Sequence, residues 1–268
     1  VLTFASGPTN SMRGASFLTG EQDAVVVDIG GTSTAVGSII KGFPRQASTS
    51  VDIGGVRTNF RMPDVFSIAL GGGSMVQADD PITVGPKSVG YRIHTEGLLF
   101  GGSTLTTTDI AVGLGFAEIG DPEPARKLGE ARLAAIRDVI DGMIVNAVER
   151  MRVSPDKIPV LAVGGGSILV RDNVGELPVV KPENFAVANA VGAAIGQISG
   201  EVDRIFSLEK TSREEALESA RKEATEKAIT AGADPDTIEL LDQEDVPLAY
   251  LPGNATRIRL KVVGDLNG

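Results

Sequence analysis

Two aliphatic runs that each end in glycines constrain the fold of this 268-residue chain more than any other feature. The first, AVVVDIGG, covers residues 24–31, and the second, IPVLAVGGG, covers residues 158–166. Neither run alternates apolar and polar residues, so each is predicted to be a strand that is buried on both faces. Such strands need covering layers, and long amphipathic helices elsewhere in the chain supply them. The sequence therefore predicts an α/β fold.

Helix and turn signals predict the other elements. Apolar residues at three- to four-residue spacing predict a helix over 124–152. A second apolar helix is predicted over 184–199, where Gly192 and Gly196 would allow close packing on a neighbouring element. The dipeptide Lys41-Gly42 predicts the turn of a hairpin.

The last part of the chain has a different pattern. A Ser212–Glu215 capping box and Gly232 bound a predicted helix, and the segment TRIRLKVV alternates as a half-exposed strand does. We therefore expect a core lobe over 1–205 and a C-terminal helix and strand extension of the same domain over 206–268.

Composition excludes several classes of function. The net charge is −10 and the pI about 4.7, whereas a nucleic-acid surface needs clustered Lys and Arg, so we expect no nucleic-acid partner. No apolar run approaches the roughly 20 residues of a membrane span. The chain has no cysteine, so it has neither a disulfide nor a thiolate site. We see no signal peptide, and we expect a cytoplasmic protein.

The end of the first predicted strand has the residue types of an anion site. Glycines leave backbone N–H groups open, and adjacent N–H groups in a tight turn bind phosphate. Hydroxyl groups add hydrogen-bond donors, and Asp28 is suited to hydrated Mg²⁺ or to an attacking water. The candidate binding residues here are Gly30, Gly31, Thr32, Ser33 and Thr34. The alternative is a plain hairpin turn with an Asp-capped bend.

Two further glycine runs have the same character. They are Gly71, Gly72 and Gly73, followed by Ser74, and Gly164, Gly165 and Gly166, followed by Ser167. Neither G-x-x-x-x-G-K-[ST] nor G-x-G-x-x-G opening a helix after a strand is present, so Walker-type and Rossmann sites do not fit.

A strand with D-x-G-G-T, followed much later by a strand with G-G-G-S, resembles the actin, Hsp70 and sugar-kinase ATPase superfamily. Over nearly the whole chain, the sequence resembles the hydantoinase A/oxoprolinase family more specifically. The segments that carry the resemblance are ASGPTNSMRGASFLTG, DAVVVDIGGTSTAVG, GGVRTNFRMPDVFSIALGGGS, VGPKSVGY, LLFGGSTLTTTDIAV, VERMR, PVLAVGGGSILV and PLAYLPGNATRIRLKVVGDL.

The resemblance implies an actin-like ATPase lobe, ribonuclease H-like, with a mixed sheet flanked by helices and a C-terminal α+β extension. It implies that the three glycine runs converge on one ligand, with ATP and Mg²⁺ as cofactors and Asp28 as the metal ligand. The implied reaction is the ATP-dependent opening of a cyclic amide such as a hydantoin, 5-oxoproline or a related lactam. The implied partners are a B-type subunit or domain and further copies of the chain in a homo-oligomer.

Two departures from the family bear on activity. The family usually has D-x-G-G-T-[ST]-T-D, and here the last position is Ala35. Family members also carry an earlier domain with its own phosphate loop, and this chain starts at Val1, with its first methionine at Met12. We therefore expect a piece of a longer protein that supplies one lobe of a two-lobed site and has little activity alone. The alternative is a nucleotide-binding or scaffolding subunit without turnover.

Other polar residues have competing explanations. Asp109, after three threonines, is a candidate catalytic carboxylate or a helix cap. His94, the sole histidine, is predicted to be a surface or strand residue rather than a catalytic one. Arg57 and Arg61 are suited to bind a phosphate or a carbonyl, or to pair with Asp64.

Overall fold

The computed structural model describes residues 6–47, 63–209, 211–249, 251 and 253–267, and the backbone of 52–53 and 56–57. The chain divides into two compact units, Val1–Ala194 and Ile195–Gly268. The boundary expected between residues 205 and 206 falls inside a strand of the second unit. That residues 206–268 extend the first domain stays a prediction.

The first unit contains most of the helices and strands. Its strands are β1 (Ala24–Ile29), β2 (Thr34–Ile40), β3 (Phe43–Pro44), β4 (Asp52–Ile53), β5 (Val56–Arg57), β6 (Val65–Ile68), β7 (Ser74–Gln77), β8 (Thr83–Ser88), β9 (Val160–Val163), β10 (Asn173–Val174) and β11 (Leu177–Val180). Its α-helices are α1 (Ser6–Thr19), α2 (Ile93–Glu96), α3 (Thr107–Gly113), α4 (Glu123–Arg126), α5 (Glu130–Met151) and α6 (Ala188–Ala194). Its 3₁₀ turns are Gly90–Arg92, Leu98–Phe100, Gly165–Leu169 and Phe185–Val187.

The main sheet joins the two aliphatic runs. Its strand order is β10-β11-β9-β1-β2-β3, and β6 also pairs with β2. Strands β1 and β9 are parallel neighbours, with Val25 opposite Val160 and Asp28 opposite Val163. Strand β2 runs antiparallel to β1. Because parallel strands end at the same sheet edge, the glycines that follow β1 and β9 emerge side by side.

Helices cover both faces of this sheet. Val25, Val27 and Ile29 belong to one core cluster with α5 residues such as Ile140, whereas Val26 packs with the core residues of α1 and with Ala188 of α6. Burying each such aliphatic side chain stabilises the fold by about 2 kcal/mol. The continuous apolar runs are therefore explained by a sheet between two helical layers, as predicted.

Two predicted helices are shorter than expected. The helix predicted over 124–152 is two helices, because Gly129 adopts a positive φ of 82° between α4 and α5. The helix predicted over 184–199 is a 3₁₀ turn followed by α6, and Gly196 lies beyond its end. Gly192 does permit close packing, since a methyl group there would overlap the carbonyl oxygen of Asn10 in α1.

The predicted hairpin turn is confirmed. Strands β2 and β3 pair antiparallel across Lys41 and Gly42, which both have positive φ, of 52° and 76°. Such angles match a primed turn, whose twist suits the flanking strands.

The second unit is a three-stranded sheet with one helix. Its elements are β12 (Ile198–Ser207), α7 (Arg213–Thr230), a 3₁₀ turn (Pro235–Thr237), β13 (Glu239–Pro247) and β14 (Ala255–Gly264), with β14 in the middle of the sheet. The predicted capping box of Ser212 and Glu215 is present at the start of α7. Alternate residues of β14 pack with the alanines of α7, so the predicted half-exposed strand is confirmed. Residues 198 and 199, the last two of the helix predicted over 184–199, belong instead to strand β12. They are extended because β12 pairs along its whole length with β14.

Candidate functional site

Asp28 lies at the carboxyl end of β1, between the ends of two neighbouring strands. It is opposite Ala35 of β2 and Val163 of β9. Its side chain is half-buried and contacts Gly164, where a methyl group would overlap Asp28 Oδ1. Among the residues that the structure describes, the carboxylate of Asp28 has no hydrogen-bond or ion-pair partner. A half-buried carboxylate of this kind is available to a cation or a water.

The loop after β1 presents a row of unpaired amides. Gly30 N donates to Ser33 O over 3.0 Å, which closes the turn. No described group accepts a hydrogen bond from the amides of Gly31, Thr32 or Ser33. The side chains of Thr32 and Ser33 are exposed beside them. Consecutive free amides in a tight turn, with hydroxyls at hand, form a site suited to phosphate oxygens.

The second glycine loop supports the first from behind. Gly72 N donates to Gly30 O over 3.0 Å, and Gly73 N donates to Gly31 O over 2.7 Å. The contact requires glycine, because a methyl group on Gly71 would overlap the backbone nitrogen of Thr32. The amides of Gly72 and Gly73 thus donate within the protein and support the first loop. A ligand-binding role for Gly71, Gly72 and Gly73 stays a prediction from the sequence.

The third glycine loop packs against the end of β1. Methyl groups on Gly164 or Gly166 would overlap Ile29 or its carbonyl oxygen, and Gly164 has a positive φ of 83°. No described residue accepts from the amides of Gly165 or Gly166. Ser167 is fully buried, and its Oγ has no partner among the described residues. The structure therefore brings all three glycine runs together around the end of one strand.

Thr34 differs from its two neighbours in the loop. It is 1% exposed, and its hydroxyl donates to Leu70 O over 2.6 Å. The side chain therefore points into the protein, and its hydrogen bond links β2 to the residue before Gly71. A ligand-binding role for Thr34 stays a prediction from the sequence.

Asp109 serves as a helix cap. Its carboxylate is fully buried and accepts from the backbone nitrogens of Leu99 over 2.7 Å and Thr106 over 2.6 Å, and from Thr106 Oγ1 over 2.6 Å. Together with the bond from Asp109 N to Thr106 Oγ1, these contacts form a capping box at the start of α3. All of these hydrogen bonds lie within the protein, and the catalytic role of Asp109 stays a prediction from the sequence.

The remaining candidates lie outside the site or outside the described residues. His94 is exposed, and its ring lies edge-on to Phe100 with 6.0 Å between the centroids. The side chain of Arg57 and all of Arg61 lie outside the described residues. Asp64 forms an ion pair with Arg45.

Sequence reasoning missed the residues that hold the second loop. Thr107 Oγ1 donates to Gly71 O over 2.5 Å and to Gly72 O over 2.9 Å, and Thr108 Oγ1 donates to Gly72 O over 2.7 Å. The Thr-x-x-Asp spacing of Thr106 and Asp109 is a capping-box signal that places the intervening threonines in the first helical turn. Their long-range partners carry no comparable local signal.

The described residues contain no group of three or more His, Cys, Asp or Glu side chains arranged to hold a metal ion. Mg²⁺ usually binds one or two carboxylates together with waters and substrate phosphates, so a single Asp28 fits that pattern. Of the helices described, none is long and apolar enough to cross a membrane.

Part of the chain is similar in sequence to known proteins. Residues 1–121 match the sequence model of the hydantoinase/oxoprolinase family. Over 120 residues, 42% of this chain, it is 31% identical to the acetophenone carboxylase gamma subunit of Aromatoleum aromaticum, and it spans 16% of that protein.

Two solved structures share the fold. A nucleotide-free acetone carboxylase matches with a TM-score of 0.65 and 19% identity, over 98% of this chain and 49% of that one. The ATP-dependent caprolactamase from Pseudomonas jessenii matches with a TM-score of 0.69 and 16% identity, over the same shares of the two chains. The predicted mixed sheet flanked by helices, followed by a C-terminal α+β unit, is confirmed. The chain spans about half the length of these solved relatives.

Proposed function

We propose that this chain supplies one lobe of the nucleotide site of an ATP-dependent hydantoinase-type enzyme. The observation that carries the proposal is the row of three unpaired amides, from Gly31 to Ser33, beside the unpaired carboxylate of Asp28. A phosphate group matches the amides, and a divalent cation matches the carboxylate.

Each residue has a defined task in this proposal. The amides of Gly31, Thr32 and Ser33 would hold phosphate oxygens, with the Thr32 and Ser33 hydroxyls as further donors. Asp28 would bind Mg²⁺ through its hydration shell or orient a water. Gly165 and Gly166 would approach the nucleotide from the end of β9. When bound, ATP supplies a phosphoryl group that activates a carbonyl oxygen.

We propose a cyclic amide as the substrate class. An amide carbonyl is deactivated by resonance and its nitrogen leaves poorly, so activation of the oxygen before water attacks is chemically useful. The match to the hydantoinase/oxoprolinase family supports this class, and the caprolactamase named above shares the fold. Hydantoin, 5-oxoproline and caprolactam are the test substrates.

Two other functions have specific support. ATP-dependent carboxylation of a ketone is supported by the 31% identity to the acetophenone carboxylase subunit, and a ketone also offers a carbonyl oxygen. A nucleotide-binding or scaffolding role without turnover is supported by Ala35, which stands where the family usually has an aspartate.

We also propose that the chain works with partners. A phosphate site of this fold closes when a second lobe covers the nucleotide. The acetophenone carboxylase relative is a gamma subunit, which supports assembly with a second, B-type subunit. A homo-oligomer is part of the same proposal.

Residue-resolved NMR tests the nucleotide site directly. Titration of the chain with ADP and Mg²⁺ into the millimolar range should shift the amide signals of Gly31, Thr32 and Ser33 first. Asp28→Asn should weaken the Mg²⁺-dependent part of binding, whereas Glu218→Gln, at an exposed position of helix α7, should leave it unchanged. Shifts confined to the second unit, or equal binding by Asp28→Asn, would overturn the proposal.

A substrate panel separates the three functions. The chain, extended at its amino end by the second lobe and assembled with a B-type subunit, should release phosphate in the presence of a lactam. Phosphate release that requires acetone or acetophenone together with bicarbonate would instead show a carboxylase. Nucleotide binding without any phosphate release would show the scaffolding role.

A further inference from the structure

We infer that Thr107 is a positioning residue of the phosphate site. It sets the conformation of two glycine loops without contacting the ligand. This inference rests on the proposed function for the identity of the ligand, and on the hydrogen bonds of the structure for the positioning itself.

Asp109 holds in place the three threonines that precede it, Thr106 to Thr108. Asp109 fixes Thr106 through its backbone and hydroxyl bonds, and it fixes Leu99 through the bond from Leu99 N. All the polar atoms of this carboxylate are thus engaged inside the protein. The first turn of α3 is held in one position, and Thr107 and Thr108 are carried by it.

Thr107 joins that turn to the second glycine loop. Thr107 is fully buried, and its hydroxyl lies within hydrogen-bond distance of two successive carbonyl oxygens, 2.5 Å from Gly71 O and 2.9 Å from Gly72 O. Gly72 O also accepts from Thr108 N over 3.0 Å. Glycine has no side chain to restrict its backbone, so these bonds select one conformation from many.

The second glycine loop in turn holds the phosphate loop, by which we mean the loop after β1 from Gly30 to Ser33. With the Gly71 and Gly72 carbonyls facing α3, the amides of Gly72 and Gly73 face away and donate to the carbonyls of Gly30 and Gly31. Ser88 Oγ donates to the same Gly31 carbonyl over 3.3 Å. The carbonyls of the phosphate loop are therefore occupied on one side, and its row of free amides is left for an anion.

A hydroxyl at residue 107 is required for geometric reasons. A valine there would put a methyl carbon where the hydroxyl oxygen lies, whereas a carbon needs roughly 3.3 Å or more from a carbonyl oxygen. Both carbonyls would have to move. A serine keeps the hydroxyl and loses only the methyl group.

Amide hydrogen exchange measures the positioning without a ligand. In Thr107→Val, the amides of Gly72 and Gly73 should exchange about tenfold faster than in the wild type, and Thr107→Ser should restore their protection. Thr107→Ala removes the hydroxyl without adding a clash, and it should give the same loss if the valine variant does not fold. Thr256→Val, at a buried threonine of the second unit, is the matched control and should leave these amides unchanged.

ADP binding in the presence of Mg²⁺ measures the consequence. The dissociation constant should rise about tenfold in Thr107→Val and return close to the wild-type value in Thr107→Ser. Unchanged exchange at Gly72 and Gly73 in both the valine and alanine variants would overturn the inference, as would a serine variant as defective as the valine one. If the wild-type chain binds no ADP, the proposed function fails, and the exchange measurement still decides whether Thr107 positions the loops.

Discussion

At the scale of single residues, the proposed cation site depends on the pairing of Asp28 with Ala35. The two residues are opposite each other on β1 and β2, so their side chains leave the same face of the sheet. Residues opposite each other on antiparallel strands have Cβ atoms roughly 4.5–5.5 Å apart, within reach of one shared ion. The alanine leaves Asp28 as a lone carboxylate.

Ala35→Asp should therefore increase the dependence of nucleotide binding on Mg²⁺. We expect ADP binding to tighten severalfold with Mg²⁺ and to weaken without it, because two neighbouring carboxylates repel each other and the phosphates. Isothermal titration calorimetry with and without Mg²⁺ measures both effects. Ala35→Asn is the matched control, with a similar size and no charge. Equal behaviour of the two variants would contradict the metal-binding role proposed for Asp28.

At the scale of elements, the glycine loops are held together by contacts that leave no room for a side chain. A methyl group on Gly71 would overlap the backbone nitrogen of Thr32, whereas a methyl group on Gly31 would meet no heavy atom within 4 Å. The two glycines lie in loops that contact each other. We expect an alanine to destabilise the protein at position 71 and to be tolerated at position 31.

Gly71→Ala should lower the free energy of unfolding by roughly 1–3 kcal/mol, because backbone must move to admit the methyl group. Gly31→Ala should change it by less than about 1 kcal/mol, since the space is open. Urea unfolding of both variants measures the difference. A Gly71→Ala chain as stable as Gly31→Ala would show that the two loops do not pack as described.

The sheet of the second unit carries a testable ion-pair cluster. Asp203 accepts two hydrogen bonds from Arg257, over 2.7 and 2.8 Å, and one from Arg259, over 3.1 Å. The hydrogen bond from Arg257 contributes most to holding the pKa of Asp203 below its ordinary value. A lowered pKa favours the charged form in the folded state. The resulting stability is present above the ordinary carboxyl pKa of about 3.9 and is lost as pH falls through the folded-state pKa.

Asp203→Asn should lower the melting temperature by roughly 2–5 °C at pH 7, and the difference from the wild type should shrink as the pH falls below about 4. Thermal unfolding followed by circular dichroism, at pH 7 and at a pH below about 4, measures the difference in melting temperature between Asp203→Asn and the wild type. Glu218→Gln, at an exposed acid of α7, is the control. A difference that persists unchanged at low pH would mean that the charge of Asp203 is not the cause.

The elements that local sequence patterns specify were predicted well. Strands β1 and β9 followed from their continuous apolar runs, and α7 followed from its capping box. Strand β12 was missed because the apolar run of the preceding helix continues into it, and only its pairing with β14 identifies it as a strand. The break at Gly129 was missed because the apolar period continues across that residue.

The sequence indicated which glycine loops the structure brings together, and the binding roles given to their residues stay predictions. Glycines after buried strands indicated Asp28 and the loop that follows it. Two features depend on contacts between segments far apart in sequence. One is the hydrogen bond of the Thr34 hydroxyl to Leu70, and the other is the set of hydrogen bonds by which Gly72 and Gly73 support the first loop. Such contacts leave no local pattern, so a sequence alone does not separate a residue that binds from one that positions.

At the scale of the whole molecule, the central claim is that this chain is one lobe of a nucleotide site. The unpaired amides and Asp28 would hold phosphates from one side only. Hydrolysis also needs an opposing lobe to fix the terminal phosphate and exclude water. The chain spans about half of the solved proteins that share its fold.

Phosphate release tests this claim most directly. The purified 268-residue chain is compared with a chain extended at its amino end by a second lobe, both with ATP, Mg²⁺ and a cyclic amide. The account predicts little or no release by the shorter chain, release by the extended chain, and loss of that release in Asp28→Ala. Release by the shorter chain equal to that of the extended one would contradict the account.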